Sequence, residues 1–253
     1  MGRRRTLKPG LLRDRRDGLY VRVVRPQGNA VHEADIAVKD GKFAKIGPGL
    51  LPRDANRVYD GRGRLAFPGV VDAHMHTGIY APLAEDSVSE SRAAAQGGVT
   101  TSLNYFRSGQ YYLNKGGPYR KFFPEVLKLS QGRFHVDYGY HLAPMDSTHV
   151  REIPELVAKH GVASFKIFMF YGSHGLHGRS DSQRDFLMIG PKESYDLAHF
   201  EFIMRAVQAA RERYPAKAAQ ISLSLHCETA EIMTAYTKIA ESQKKLKGLA
   251  AYH

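Results

Sequence analysis

The sequence predicts an α/β fold, an incomplete TIM-like (β/α)8 barrel preceded by a small β-sandwich unit. Three observations carry this prediction. Between Gly18 and Val58 short β-rich runs alternate with tight turns. Beyond that stretch, apolar strand-like runs alternate with helical stretches of about ten or more residues, the pattern of successive βα units around a parallel sheet. Five such steps are visible, whereas a closed barrel of this type needs eight.

In the first unit the runs from Leu19 to Val24 and from Ala34 to Val38 read as strands. Lys39-Asp40-Gly41 and Gly47-Pro48-Gly49 read as turns. Barrel strands are expected at Leu65–His76, Thr100–Phe106, Phe134–His141, Ser164–Phe170 and Ser222–Cys227. Helices are expected between and after them at Glu85–Gln96, Pro118–Ser130, Ile153–His160, Ser194–Tyr214 and Ala230–Lys247, with Gly97-Gly98 and Gly161 as stops. The stretch between Tyr171 and Pro191 exceeds the usual βα loop and is expected to be an active-site lid or a mobile insertion. The organisation is thus 1–16 as a basic leader, 17–64 as the N-terminal part of the small β-sandwich domain, and 65–253 as the first five βα units. The remaining barrel units are expected after residue 253.

Composition narrows the classes. With 43% hydrophobic residues in 253, the chain can bury a substantial core. No apolar run reaches the ~18 residues of a membrane span, and the basic start lacks a signal-peptide core, so a cytoplasmic protein is expected. The single cysteine, Cys227, excludes an internal disulfide. The net charge of +12 raises a nucleic-acid partner, but much of it sits on Arg3, Arg4, Arg5, Lys8, Arg13, Arg15 and Arg16 and on Lys238, Lys244, Lys245 and Lys247. Such runs are ordinarily a solvated leader and a solvated helix face, so a nucleic-acid partner is not expected.

Three strand ends carry candidate chemistry. PGVVDAHMH at 68–76 ends in His-x-His; residues two apart on a strand share a face, so His74 and His76 can present two imidazoles to one zinc-like ion. SFKIFMFY at 164–171 sets Lys166 inside an otherwise apolar strand. Burial disfavours its ammonium, and a neutral amine can add carbon dioxide to become an anionic carbamate ligand; the plainer alternative is a lysine that snorkels out or pairs with a carboxylate. ISLSLHCE at 221–228 puts His226 on the face of Ser222 and Ser224 and assigns Cys227 to the opposite, apolar face as a packing residue. Asp137 and His141 fall on the third strand and are weaker candidates for orienting ligands. His174, His177, Arg179 and Asp181 in the long connection are substrate contacts or incidental loop residues.

Taken in order, PGVVDAHMH, GGVTT at 97–101, DYGYH at 137–141, SFKIFMFY and HCE resemble the amidohydrolase superfamily, and within it the dihydropyrimidinases and hydantoinases, from about Gly18 onward. The resemblance implies a metallo-hydrolase barrel with two divalent ions of zinc type. His74 and His76 would hold one ion, Lys166, carbamylated by carbon dioxide, would bridge both, and His226 would serve the second. Tyr171 would donate a hydrogen bond to the developing oxyanion. The implied reaction is hydrolysis of a cyclic-amide C–N bond in a dihydropyrimidine- or hydantoin-like ring by a hydroxide shared between the ions, in a homotetramer. A further histidine and an aspartate are expected beyond residue 253, and the chain by itself is expected to be inactive and poorly stable. Three alternatives stand beside this. They are a dihydroorotase- or allantoinase-like hydrolase, a non-catalytic assembly protein of the same fold such as the collapsin response mediator proteins, and nucleic-acid binding through the leader.

Overall fold

A computed structural model describes residues 10–12, 21–25, 30–51, 55, 57–61, 63–169, 182–227 and 230–243. These residues form two compact units that divide between Val70 and Val71.

The smaller unit is a six-stranded sheet of β1 (Gly10–Leu12), β2 (Val21–Arg25), β3 (Ala30–Lys39), β4 (Lys42–Gly47), β5 (Val58–Tyr59) and β6 (Leu65–Ala66). The long β3 organises it. Its first half pairs antiparallel with β2, and its second half lies antiparallel between β1 and β4. The expected turn joins β3 to β4, with Asp40 at φ 53° and Gly41 at φ 73°. A two-residue hairpin loop of type I′ needs two positive φ angles, and Asp-Gly supplies them at low steric cost. Gly10–Leu12 lies inside the stretch read as a basic leader and is a strand there, because it completes the ladder between β3 and β5.

The larger unit is a curled, parallel five-stranded sheet in the order β11-β10-β9-β8-β7, the incomplete barrel expected from the sequence. Its strands are β7 (Val70–His76), β8 (Val99–Phe106), β9 (Asp137–Leu142), β10 (Ser164–Phe168) and β11 (Ser222–His226). The helices are α1 (Leu83–Gln96), α2 (Tyr119–Ser130), α3 (Ser147–Lys159), α4 (Gln183–Leu187), α5 (Leu197–Arg213) and α6 (Ala230–Ser242). Phe106, Leu142, Phe165 and Ile167 on the outer sheet face are fully or almost fully buried. They join one core with Phe122, Phe123 and Val126 of α2, Ile153, Leu156 and Val157 of α3, and Phe200, Ile203 and Val207 of α5. Helices on one face leave the other face of the parallel sheet to carry a site.

Two helices depart from expectation. The helix expected from Ile153 begins six residues earlier as α3, because Asp146 caps it by accepting the His149 amide, and Pro154 is tolerated in the interior. The connection expected to be a loop holds α4, a helix too short for any periodic signal, with Phe186 and Leu187 buried and Met188 closing it at φ 53°. Gly98 and Gly161 stop helices as expected, at φ 92° and 67°.

α2 starts at Pro118-Tyr119 with no side-chain cap of its own. Buried Glu152 of α3 takes that role, accepting the Tyr119 amide at 2.7 Å, the Arg120 amide at 3.3 Å and the Arg120 guanidinium at 3.2 Å. A carboxylate at a helix N-terminus satisfies orphan donors and complements the dipole. Glu152→Ala should therefore lower the unfolding free energy by about 1–3 kcal/mol, the cost of leaving buried donors unmet. The denaturant midpoint reads this, and an unchanged midpoint would remove Glu152 from the fold's essential contacts.

Candidate metal centre

The register of the parallel strands decides which side chains meet. Tyr105 of β8 stands beside His141 of β9, and His141 beside Ser164 of β10. Lys166 stands beside Ser224 of β11, and Phe168 beside His226. Alternation then puts Tyr105, His141, Ser164, Lys166, Phe168, Ser222 and His226 on one inner face, with Tyr105, His141, Phe168 and His226 at or next to the C-terminal ends of their strands. That end of a parallel barrel is where sites are built.

His74 and His76 close β7 at the same end. Their Nε2 atoms lie 3.1 Å apart, while the two Nδ1 atoms are held from outside the pair. His74 Nδ1 is 2.9 Å from His141 Nε2, and His76 Nδ1 is 2.8 Å from the Tyr112 hydroxyl in the loop after β8. His141 Nδ1 in turn lies 3.4 Å from Ser164 Oγ, which accepts from Ser222 Oγ at 3.5 Å. Two nitrogens each ~2.0–2.1 Å from one tetrahedral ion stand about 3.3 Å apart, so the observed spacing fits a shared ion. Lone pairs on both Nε2 atoms require Nδ1–H on both rings, which His141 and Tyr112 accept.

Electrostatics disfavour charge on two of these rings, His74 and His141. Burial, then the Lys166 ammonium, hold His74 below its ordinary range; Asp72 opposes them and His226 adds a smaller downward push. Burial, followed by His74, Lys166 and His76, pushes His141 down to about 3. A neutral imidazole is the form that can accept from His74 or ligate an ion.

Lys166 is 9% exposed, as a strand-interior lysine of an apolar run should be, and its Nζ sits 4.7 Å from the centre of the Phe168 ring. That ring is 4.6 Å from His226 and 6.3 Å from each of His74 and His76. All four expected ligand residues thus border Phe168. Among the described residues, no three His, Cys, Asp or Glu side chains converge into a metal-binding group.

Other expectations fare differently. Tyr171, His174, His177, Arg179 and Asp181 lie outside the described residues. Asp137 is on the inner face but opens β9, about 13 Å of strand below His141, and so cannot orient ligands at the other end. Cys227 was expected to pack; it is exposed, since it follows an edge strand paired on one side with β10. Tyr112 was missed, because a loop tyrosine among several carries no periodic signal. Its buried side chain and its contact with His76 come from the chain folding back after β8.

Comparisons with known proteins bear on this arrangement. No family model matches. D-hydantoinase of Geobacillus stearothermophilus is 34% identical over 146 residues, 56% of this chain and 30% of that one. Over the part that it spans, the chain is hydantoinase-like in sequence. Allantoinase of Desulfitobacterium hafniense is 28% identical over 220 residues, 86% of this chain and 41% of that one. The fold of L-hydantoinase from Arthrobacter aurescens covers 92% of this chain and 45% of that one, with a TM-score of 0.65 at 23% identity. This hydantoinase-like chain therefore spans less than half the length of the relatives it matches. No helix among the described residues is long and apolar enough to cross a membrane.

The low basicity of His141 has a measurable consequence in the metal-free protein. Its folded value of about 3 lies below the ~6.5 of an unfolded histidine, so the unfolded chain takes up the proton first as pH falls. The stability it contributes is complete above pH ~6.5 and is lost progressively as pH falls toward 3. Nitrogen-15 spectra should show the His141 ring neutral through pH 5 while the unfolding midpoint declines. A ring that titrates near 6.5 would contradict the arrangement.

Proposed function

We propose that the whole protein hydrolyses a cyclic-amide C–N bond in a dihydropyrimidine- or hydantoin-like ring, using two divalent ions, of zinc type, held at this strand-end cluster. The observation that carries the proposal is the His74–His76 pair, with Nε2 atoms 3.1 Å apart and both Nδ1 atoms held from behind. The names of the relatives support the substrate class.

When bound, such ions lower the pKa of water and polarise the amide carbonyl. His74 and His76 would hold the first ion, and His226 would serve the second. Lys166 presents a difficulty that its own chemistry resolves. A buried ammonium beside His74 and His141 would repel a divalent cation, as it already disfavours charge on those rings. Once burial has driven one proton from Nζ to solvent, the neutral amine can add carbon dioxide and release a second proton, so that a carbamate anion replaces the positive charge, supplies oxygen donors and removes the repulsion. Lys166 would then bridge the two ions. Tyr171, three residues beyond Phe168, would donate its hydroxyl to the carbonyl oxygen as negative charge develops there. The attacking water adds to the carbonyl carbon, the C–N bond breaks, and the ring nitrogen leaves with a proton.

The allantoinase relative, which matches 86% of this chain, supports allantoin as a second candidate ring. Assays of the whole protein on dihydrouracil, hydantoin, allantoin and dihydroorotate separate these activities. Elemental analysis after reconstitution with zinc and bicarbonate should give two ions per chain. Lys166→Ala should lose the paired ions and regain part of them with short carboxylic acids. Fewer than one ion per wild-type chain would overturn the proposal and favour a non-catalytic protein of the same fold. Tyr171→Phe should lower turnover by roughly 10²–10³, as loss of one oxyanion donor does elsewhere, with metal content unchanged. Parallel loss of metal would make Tyr171 structural instead.

A further inference from the structure

Tyr112 stands in a loop that is held unusually firmly. Gly109 and Lys115 close the loop base as a bridge, with the Gly109 amide donating to Lys115 O at 2.7 Å. Between them Tyr111, Leu113 and Asn114 all take left-handed backbone angles, with φ of 76°, 61° and 49°. Such angles are uncommon for non-glycine residues, least so for asparagine, and strained ones such as those of Tyr111 and Leu113 concentrate at working parts of proteins. Here they flank one residue whose side chain is turned fully inward, since Tyr112 is 1% exposed.

The surroundings that impose them are identifiable. The Tyr112 ring packs edge-on against Tyr105 and Phe106, at 5.6 and 5.3 Å. The buried Arg107 guanidinium covers it at 5.0 Å and also covers Phe186 of α4 at 4.4 Å. The Gln110 amide donates to Phe186 O at 2.9 Å. A Cβ on Gly109 would stand 2.5 Å from Phe186 O, so the loop and α4 approach as closely as glycine allows. This clamping holds the Tyr112 hydroxyl 2.8 Å from His76 Nδ1.

We propose that Tyr112 is a positioning residue for the His74–His76 pair: its hydroxyl accepts the Nδ1–H of His76 and thereby keeps that ring's Nε2 lone pair facing His74. The inference rests on the metal reading of the pair for its purpose but not for its test. Arg107 and Phe186 extend the effect, so that the connection after β10 and the loop after β8 act together on one ligand. Partners of this kind fix the tautomer and orientation of a ligating imidazole, and their removal elsewhere costs about 10–100-fold in metal affinity.

The test compares wild type, Tyr112→Phe, Tyr111→Phe and His76→Ala in the full chain. In the metal-free protein, nitrogen-15 spectra should show His76 protonated on Nδ1 in wild type and in Tyr111→Phe, and a mixture of tautomers in Tyr112→Phe. Zinc affinity, measured by chelator competition, should fall about 10–100-fold in Tyr112→Phe with the melting temperature retained, and far more in His76→Ala. A wild-type His76 protonated on Nε2, or a tautomer unchanged by Tyr112→Phe, overturns the inference whatever zinc does. An equal loss in Tyr111→Phe also overturns it, by making the effect a property of the loop. Wild type that takes no zinc while the tautomer shifts as expected would overturn the metal reading and leave Tyr112 as the residue that orients His76.

Discussion

Parallel pairing in strict register is the constraint from which the rest of the larger unit follows. When β8 aligns with β9 and β10 with β11, residues opposite one another share a face, and every second residue turns inward. The outer set, Phe106, Leu142, Phe165 and Ile167, then meets the helices and is drawn out of water, while the inner set keeps His141, Lys166 and His226 at one end. A slip of one residue in β10 would exchange these sets, placing Lys166 under the helices and Phe165 or Ile167 in the site. Burial of the outer face therefore holds the inner chemistry in place, although no inner side chain contributes to it.

That arrangement accepts electrostatic cost at its centre. Lys166 is buried beside imidazoles whose protonation it disfavours, and His141 is held neutral far below the usual range of its type. A cation and several imidazoles gathered in this way are poor design for stability alone. The cost is consistent with the proposed function, in which anionic and metal charge would be added there. The same cluster is linked outward through hydrogen bonds, from His74 to His141 to Ser164 on one side and from His76 to Tyr112 on the other. The geometry of the histidine pair is thus set by neighbouring strands and a loop, not by β7 itself.

Much of this is legible in the sequence. Apolar runs located all five barrel strands to within a few residues, and helix stops at Gly98 and Gly161 fell where expected, because both signals depend on neighbours in sequence. His-x-His announced a shared face for the same reason. The failures were of another kind. Asp137 was grouped with His141, although four residues of strand separate opposite ends of the sheet. Cys227 was assigned to a packed face, but an edge strand has nothing described to cover it. α4 was taken for loop, since a single helical turn has no period to detect.

The sequence by itself determined which residues alternate inward and outward on each strand, where the hairpin turns at Asp40-Gly41, and that a histidine pair and a strand lysine occur in hydantoinase-like order. Those are properties of the local backbone, set by side-chain period and by the φ angles each residue tolerates. Only the tertiary structure decided that His141 stands behind His74, that Tyr112 stands behind His76, and that Phe168 lies among Lys166, His226 and the pair. Apart from Lys166 and Phe168, which are neighbours on one strand face, those contacts join residues tens of positions apart. They depend on register between strands and on how the loop after β8 closes against α4, and no periodicity within one segment encodes either.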